Sequence, residues 1–179
     1  MSMSISQYDK QTDTFHFFDE IVIEGIRTLD TCEELAARGY LDLNQLIVVT
    51  GDATGRSNSP NSKHTNYEII EEFIANYKTK DGKRVYYNID LPSKNPPIRT
   101  RHETVNAYIC NSRMERRLFV YEKCKTLDQG LRLTKLKANA DYIEDDSKPW
   151  QHITTSLGYN VCQVVAKLNY QSTPQLFKR

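Results

Sequence analysis

The spacing of apolar and polar positions divides this chain into short strand-like and helix-like segments. MSISQYD and TFHFFDEIVIEG both read as strands, and DKQTD between them reads as a turn, which predicts an antiparallel hairpin. Thr31-x-x-Glu34 is a capping-box pattern followed by Leu35, Ala36 and Ala37, predicting a helix that stops near Gly39. LIVVT, Leu46 to Thr50, is apolar and β-branched without alternation, the pattern of a buried core strand. Thr65-x-x-Glu68 is a second capping box, and Tyr67, Ile70, Phe73, Ile74 and Tyr77 then recur at helical spacing. Asp81-Gly82 turns the chain into a strand, KRVYYNID, and SKNPPIR reads as an extended loop. HETVNAYICNS predicts a helix, RRLFVY a short strand, and KTLDQGLRLTKLK a helix weakened at Gly130. Ser147-x-Pro149 opens a last helix whose stripe, Trp150, Ile153, Leu157 and Val161, faces the core.

Hairpin, helix, strand, helix, strand and further helices together predict a mixed α/β sheet with helices on its faces. The 179 residues suffice for one domain with a real core, and no repeat or low-complexity linker marks a second. The composition, 39% hydrophobic and 26% charged, is that of an ordered chain. At a net charge of +1 only a local basic surface could attract nucleic acid. No apolar run approaches the roughly 20 residues of a membrane span, and MSMSISQYDKQ has no apolar core like a signal peptide's. Cys32, Cys110, Cys124 and Cys162 are far apart with no CxxC pair, so free thiols of a cytosolic protein are expected rather than a zinc site.

Candidate chemistry centres on Asp52. Ligands in open α/β sheets gather beyond the carboxyl ends of strands, where LIVVT runs out onto this acid. Two roles are open to it: capping its own loop, as Asp side chains do in turns, or holding a hard cation such as Mg²⁺. The following GRSNSPNSK is hydroxyl-rich and carries Arg56 and Lys63, residue types that follow a phosphate backbone. GDATG is not a P-loop, lacking the spacing and the Gly-Lys-Ser/Thr ending.

Several segments in order resemble the nuclease domain of the large terminase subunit of tailed bacteriophages, an RNase H-like fold. They are HFFDEIVIEG, GDATGRSNSPNSKHTNYEII, NPPIRTRHETVNAYICNSRMERRLFVYEKCKTL and HITTSLGYNV, and they cover nearly the whole chain, residues 1–179, as a single domain. The resemblance implies an RNase H-like mixed sheet with helices on both faces. It implies metal-dependent endonucleolytic cleavage of concatemeric viral DNA, with Mg²⁺ or Mn²⁺ in a two-metal site. Asp52 would be a catalytic metal ligand, with Arg56, Lys63, Arg99 and Arg101 near the DNA backbone. The implied partners are double-stranded DNA, the terminase ATPase domain, the small terminase subunit and the portal, in the host-cell cytoplasm and without a membrane. No Walker A motif is present, so the ATPase is expected outside this sequence.

The chain departs from the family at two acids. MSMSISQYD resembles the family's second strand, so the central first strand and its acid are missing and the domain reads as N-terminally truncated. The third acid falls at Thr155, which offers a neutral oxygen and no charge. Glu144, Asp145 and Asp146 are nearest; Asp145 or Asp146 could reach the site by a loop folding back, or the run is simply solvated near a helix N-terminus. With one of three acids in place, a catalytically degenerate DNA- or portal-binding fragment is the alternative function, and another RNase H-like nuclease such as a junction resolvase is a third. Without the first strand, the hairpin must pair directly with LIVVT or leave a gap, and a gap predicts poor solubility or self-association.

Overall fold

The computed structural model describes residues 2–57, 63–137, 144, 145, 147, 148 and 150–172. Ser2–Asp9 (β1) and Thr14–Val22 (β2) form the expected antiparallel hairpin. Its register moves between Ile5, opposite Asp19, and Ser6, opposite Phe17, so Phe18 is an extra residue on β2. One extra residue inverts the pleat beyond it. Phe15 and Phe17 therefore enter one core, with Val105, Leu127, Ile153 and Leu157, while Ile21 enters a second, with Cys32, Leu41, Ile70 and Ile74. Both ends of a single strand are buried, on opposite faces.

Thr28–Ala37 (α1) begins before the predicted Thr31. The Arg27 backbone N–H and guanidinium both donate to Asp30, at 2.8 and 2.9 Å, and cap the helix about one turn upstream of Thr31. Gly39, at φ 81°, ends the helix as its position suggested. Asn66–Asn76 (α2) carries the predicted capping box: Glu68 N–H donates to Thr65 Oγ1 at 3.1 Å and Thr65 N–H to Glu68 Oε2 at 2.7 Å. Ile98–Ile109 (α3) starts directly after Pro97, a turn before HETVN. Lys125–Leu133 (α4) and Trp150–Ser172 (α5) follow, with Ile153, Leu157 and Val161 of the predicted stripe fully buried.

The remaining strands are short: Ile47–Val49 (β3), Tyr87–Ile89 (β4) and Leu118–Val120 (β5). The class is mixed α/β, but the strands make two sheets rather than one. β1, β2 and β5 form the first, with β5 parallel to β2; β3 and β4 form a parallel pair. The hairpin does not pair with β3. The two sheets nonetheless share both covering layers. Met3 and Ile5 of β1 and Ile47, Val49, Tyr87 and Ile89 of the other sheet pack on the one core beneath α1 and α2. On the opposite face α5 reaches both sheets. Ser156 Oγ lies 3.1 Å from Ser4 Oγ, Asn160 bonds Ser6 and Thr50, and Gln163 donates to Asp90 at 3.2 Å.

LIVVT was expected to be buried, and here the structure corrects the reading: Leu46 is 63% and Val48 46% exposed. Among the described residues, one edge of β3 has no neighbouring strand to complete the cover. Among the described residues, no helix is long and apolar enough to cross a membrane.

Candidate functional site at the end of the two-stranded sheet

Asp52 follows β3 by three residues and stands at the carboxyl end of the two-stranded sheet. Its loop is wrapped on Tyr67 of α2, whose hydroxyl donates to the Asp52 carbonyl at 3.0 Å. This contact explains the glycines of GDATG. A Cβ at Gly51 would lie 2.5 Å from the Tyr67 hydroxyl oxygen, and one at Gly55 2.6 Å from the ring, so only glycine lets the loop lie so close.

The Asp52 side chain does cap its loop, accepting from Thr54 N–H at 2.7 Å. It also accepts from Asn95 Nδ2 at 2.6 Å, while Asn95 Oδ1 takes the Ala53 N–H at 2.8 Å. Asn95 thus ties the Asp52 loop to the proline loop before α3. Partial burial pushes the Asp52 carboxyl up, but the Asn95 and Thr54 hydrogen bonds and the nearby Arg101 charge hold it below the ordinary range. Asp52 is therefore ionised at neutral pH.

A second carboxylate, from Glu144, shares the Arg101 charge with Asp52. Only 8% exposed, it takes four donors: Arg101 Nη2, His102 Nε2 and Gln151 Nε2, each at 2.6 Å, and Thr155 Oγ1 at 3.4 Å. Burial raises its pKa; the His102 and Arg101 bonds, the Arg101 charge and the Gln151 bond outweigh this and bring it to about 2. The chain does fold back so that an acid reaches Thr155, but the acid is Glu144. Asp145 is used otherwise, its carboxylate accepting from Ser147 N–H at 3.1 Å, and Asp146 lies outside the described residues. Gln151 and Thr155 bond each other at 2.9 Å, one turn apart on α5, a spacing readable in the sequence.

Arg101 was expected at a DNA backbone. It is instead 4% exposed, and its guanidinium stacks on Tyr159 at 4.9 Å while it pairs with Glu144. Gly158 makes room for it, since a Cβ there would lie 2.6 Å from Arg101 Cδ. Burial raises the Tyr159 pKa, and both the Asp52 and the Glu144 charges add to that, so both acids bear on the pocket Arg101 fills. Arg101 is the cation of this cluster.

Of the other basic residues, Arg56, Lys63 and Arg99 are exposed. Arg56 donates to the Leu91 carbonyl at 3.0 Å, joining the same two loops as Asn95 does. Lys94, not singled out by the sequence, is exposed on the second of them. Arg56 and Lys94 therefore lie on the two loops that meet at Asp52, and Arg99 is exposed in the first turn of α3 that follows. Glu20 is structural: its carboxylate accepts Thr126 N–H and Leu127 N–H, each at 2.7 Å, at the start of α4. Asn95, Tyr67 and Tyr159 lie within the segments that carry the resemblance but were given no role at the site, and Lys94 was not singled out; the tertiary fold brings Asn95 and Tyr67 to Asp52 and Tyr159 to Arg101.

Two hard cations need several carboxylate oxygens left over for them. Both Glu144 oxygens are committed to donors, and no group of three or more His, Cys, Asp or Glu side chains suited to a metal occurs among the described residues. Among the described residues, Arg101 is the cation that balances the Glu144 charge. No protein-family model, curated protein or solved structure matches the chain.

Proposed function

We propose that this chain is a DNA-binding domain of the terminase-nuclease type that does not cut. The reading begins from the resemblance of its ordered segments to that family, with portal or packaging-motor contact as the accompanying role. One observation carries the choice of binding over cleavage: Arg101 occupies the carboxylate cluster and neutralises Glu144 from 2.6 Å. A buried guanidinium is always charged, so it competes with any divalent ion for those oxygens. Exposed Arg56 and Lys94 on the loops that meet at Asp52, with exposed Arg99 in the first turn of α3, support phosphate contact.

The second reading is cleavage of concatemeric viral DNA with Mg²⁺ or Mn²⁺. It is favoured by the place of Asp52 at a strand end and by Glu144 reaching the family's third acid position at Thr155. The test is a duplex-DNA mobility shift beside a plasmid-nicking assay in Mn²⁺, with the wild-type chain and Asp52→Asn. Retardation by both proteins without nicking is expected. Nicking by the wild type that Asp52→Asn abolishes would replace binding by cleavage.

A further inference from the structure

Among the described residues no backbone ladder joins the two sheets, and β1 and β3 are the edges that α5 bridges. β1 is bonded, among the described residues, only to β2, and β3 only to β4, so each presents an unpaired edge of backbone N–H and C=O groups. These are not outer edges of the molecule. The same apolar core underlies β1 and β3 on one side, and α5 spans both on the other. Asn160 marks the crossing: its Oδ1 accepts from Ser6 Oγ of β1 at 3.4 Å, and its Nδ2 donates to Thr50 Oγ1 after β3 at 3.2 Å. A side-chain amide thus joins two edges that backbone bonds do not. Neighbouring strands lie about 4.8 Å apart, so a slot for one strand separates edges by about twice that.

Leu46 to Thr50 supplies a separate observation. Its unbroken apolar, β-branched pattern is that of a strand covered on all sides, yet Leu46 and Val48 are largely exposed. Unpaired backbone groups are costly wherever water does not reach them, and a strand added between the two edges would satisfy both at once.

We propose that the slot between β1 and β3 takes an extended β-strand of another polypeptide. The walls specify its chemistry. Toward α1 and α2 it meets Met3, Ile5, Ile47 and Val49 and must offer apolar side chains. Toward α5 it meets Ser4, Ser6, Ser156, Asn160 and Thr50 and must offer small polar ones. The guest is therefore a segment of about five residues in which valine- or isoleucine-like positions alternate with serine- or threonine-like ones. A second copy is a poorer guest. Among the described residues the strands of this alternating kind are already paired, and β1 would have to leave β2 to enter a neighbour. The slot stands on topology alone and does not depend on the DNA-binding reading.

The experiment adds a peptide alternating valine with serine or threonine over seven residues, flanked by lysines, to the full chain and follows amide hydrogen exchange. A scrambled peptide of the same composition is the control. One peptide per monomer should slow the amides of both β1 and β3 tenfold or more, and the scrambled peptide should not. Ser156→Trp, which fills the slot from the α5 side, should weaken peptide binding tenfold or more; Ser156→Ala, which leaves it open, should not. Protection of only one of the two strands, or of neither, would overturn the proposal. So would protection of both without peptide in step with concentration-dependent dimerisation, since the guest would then be a second copy.

Discussion

Replacing Glu144 by glutamine removes one negative charge from the candidate site and keeps its shape. The magnitude follows from the geometry. The carboxyl stands at about 2 against an ordinary 4.5. That difference is worth about 3 kcal/mol of folding stability at pH 7. Breaking one side of a buried ion pair independently suggests about 3–5 kcal/mol, because Arg101 keeps its charge without a partner. For a chain of this length the loss lowers Tm by about 6–12 °C. The sign is fixed by the direction of the shift. A depressed folded-state pKa gives stability that is full above 4.5 and lost as the pH falls toward 2. The gap between wild type and Glu144→Gln should therefore narrow to about 2 kcal/mol at pH 3.5. Urea unfolding at pH 7 and at pH 3.5 measures both values. A difference below about 1 kcal/mol at pH 7, the level of an exposed pair, would refute the buried cluster. A gap of the same size at both pH values would refute the assignment of the charge to Glu144.

Other outcomes follow from the same contacts. Arg56→Ala, Lys94→Ala and Arg99→Ala should each weaken duplex binding evenly across sequences and each lower the salt slope by about 1, checked by filter binding over a salt series. Gly130→Ala should destabilise by about 1–3 kcal/mol despite alanine's better helix propensity. Its Cβ would lie 2.5 Å from Thr154 Cγ2 and 2.9 Å from the Trp150 carbonyl, so α4 must move off α5; chemical denaturation measures the cost. Asp19 accepts bonds from Arg38, Tyr40 and Lys123 in a buried hub, so Asp19→Asn should cost about 1–3 kcal/mol at neutral pH. Burial raises the Asp19 pKa, but the Lys123 and Tyr40 bonds lead those that bring it to about 2, so this cost should shrink as the pH falls below 3.8. Iodoacetamide on the native chain should label exposed Cys110 first. Burial pushes the Cys32 and Cys124 thiols up to about 11 and should leave them unlabelled, as peptide mass spectrometry would show.

Local signals were the legible ones. The hairpin, the Thr65–Glu68 capping box, the turn at Gly82 and the Ile153, Leu157, Val161 stripe depend on neighbours in sequence, and the structure places each as read. The bulge at Phe18 was not legible, because positions 15, 17, 19 and 21 keep an unbroken alternation while changing the face they occupy. LIVVT read as buried because β-branched apolar runs usually are; the open edge beside β3 is a property of its neighbours. At the site, Asp52 was legible from its place at a strand end, whereas Arg101 was not. A basic residue in a polar loop reads as surface, and only the fold sets it on Tyr159 and against Glu144. The acid run before α5 was seen, but which of its members turns inward is decided by the donors waiting there, His102, Arg101 and Gln151.

The most direct test is a plasmid assay with the purified chain in Mn²⁺, reading retardation and nicking from the same lanes. With Arg101 holding the carboxylate cluster, supercoiled plasmid should be retarded and remain supercoiled, with Asp52→Asn indistinguishable from wild type. Conversion to nicked circles by the wild type, lost in Asp52→Asn, would mean that a metal reaches Asp52 in spite of Arg101 and that the chain is a nuclease.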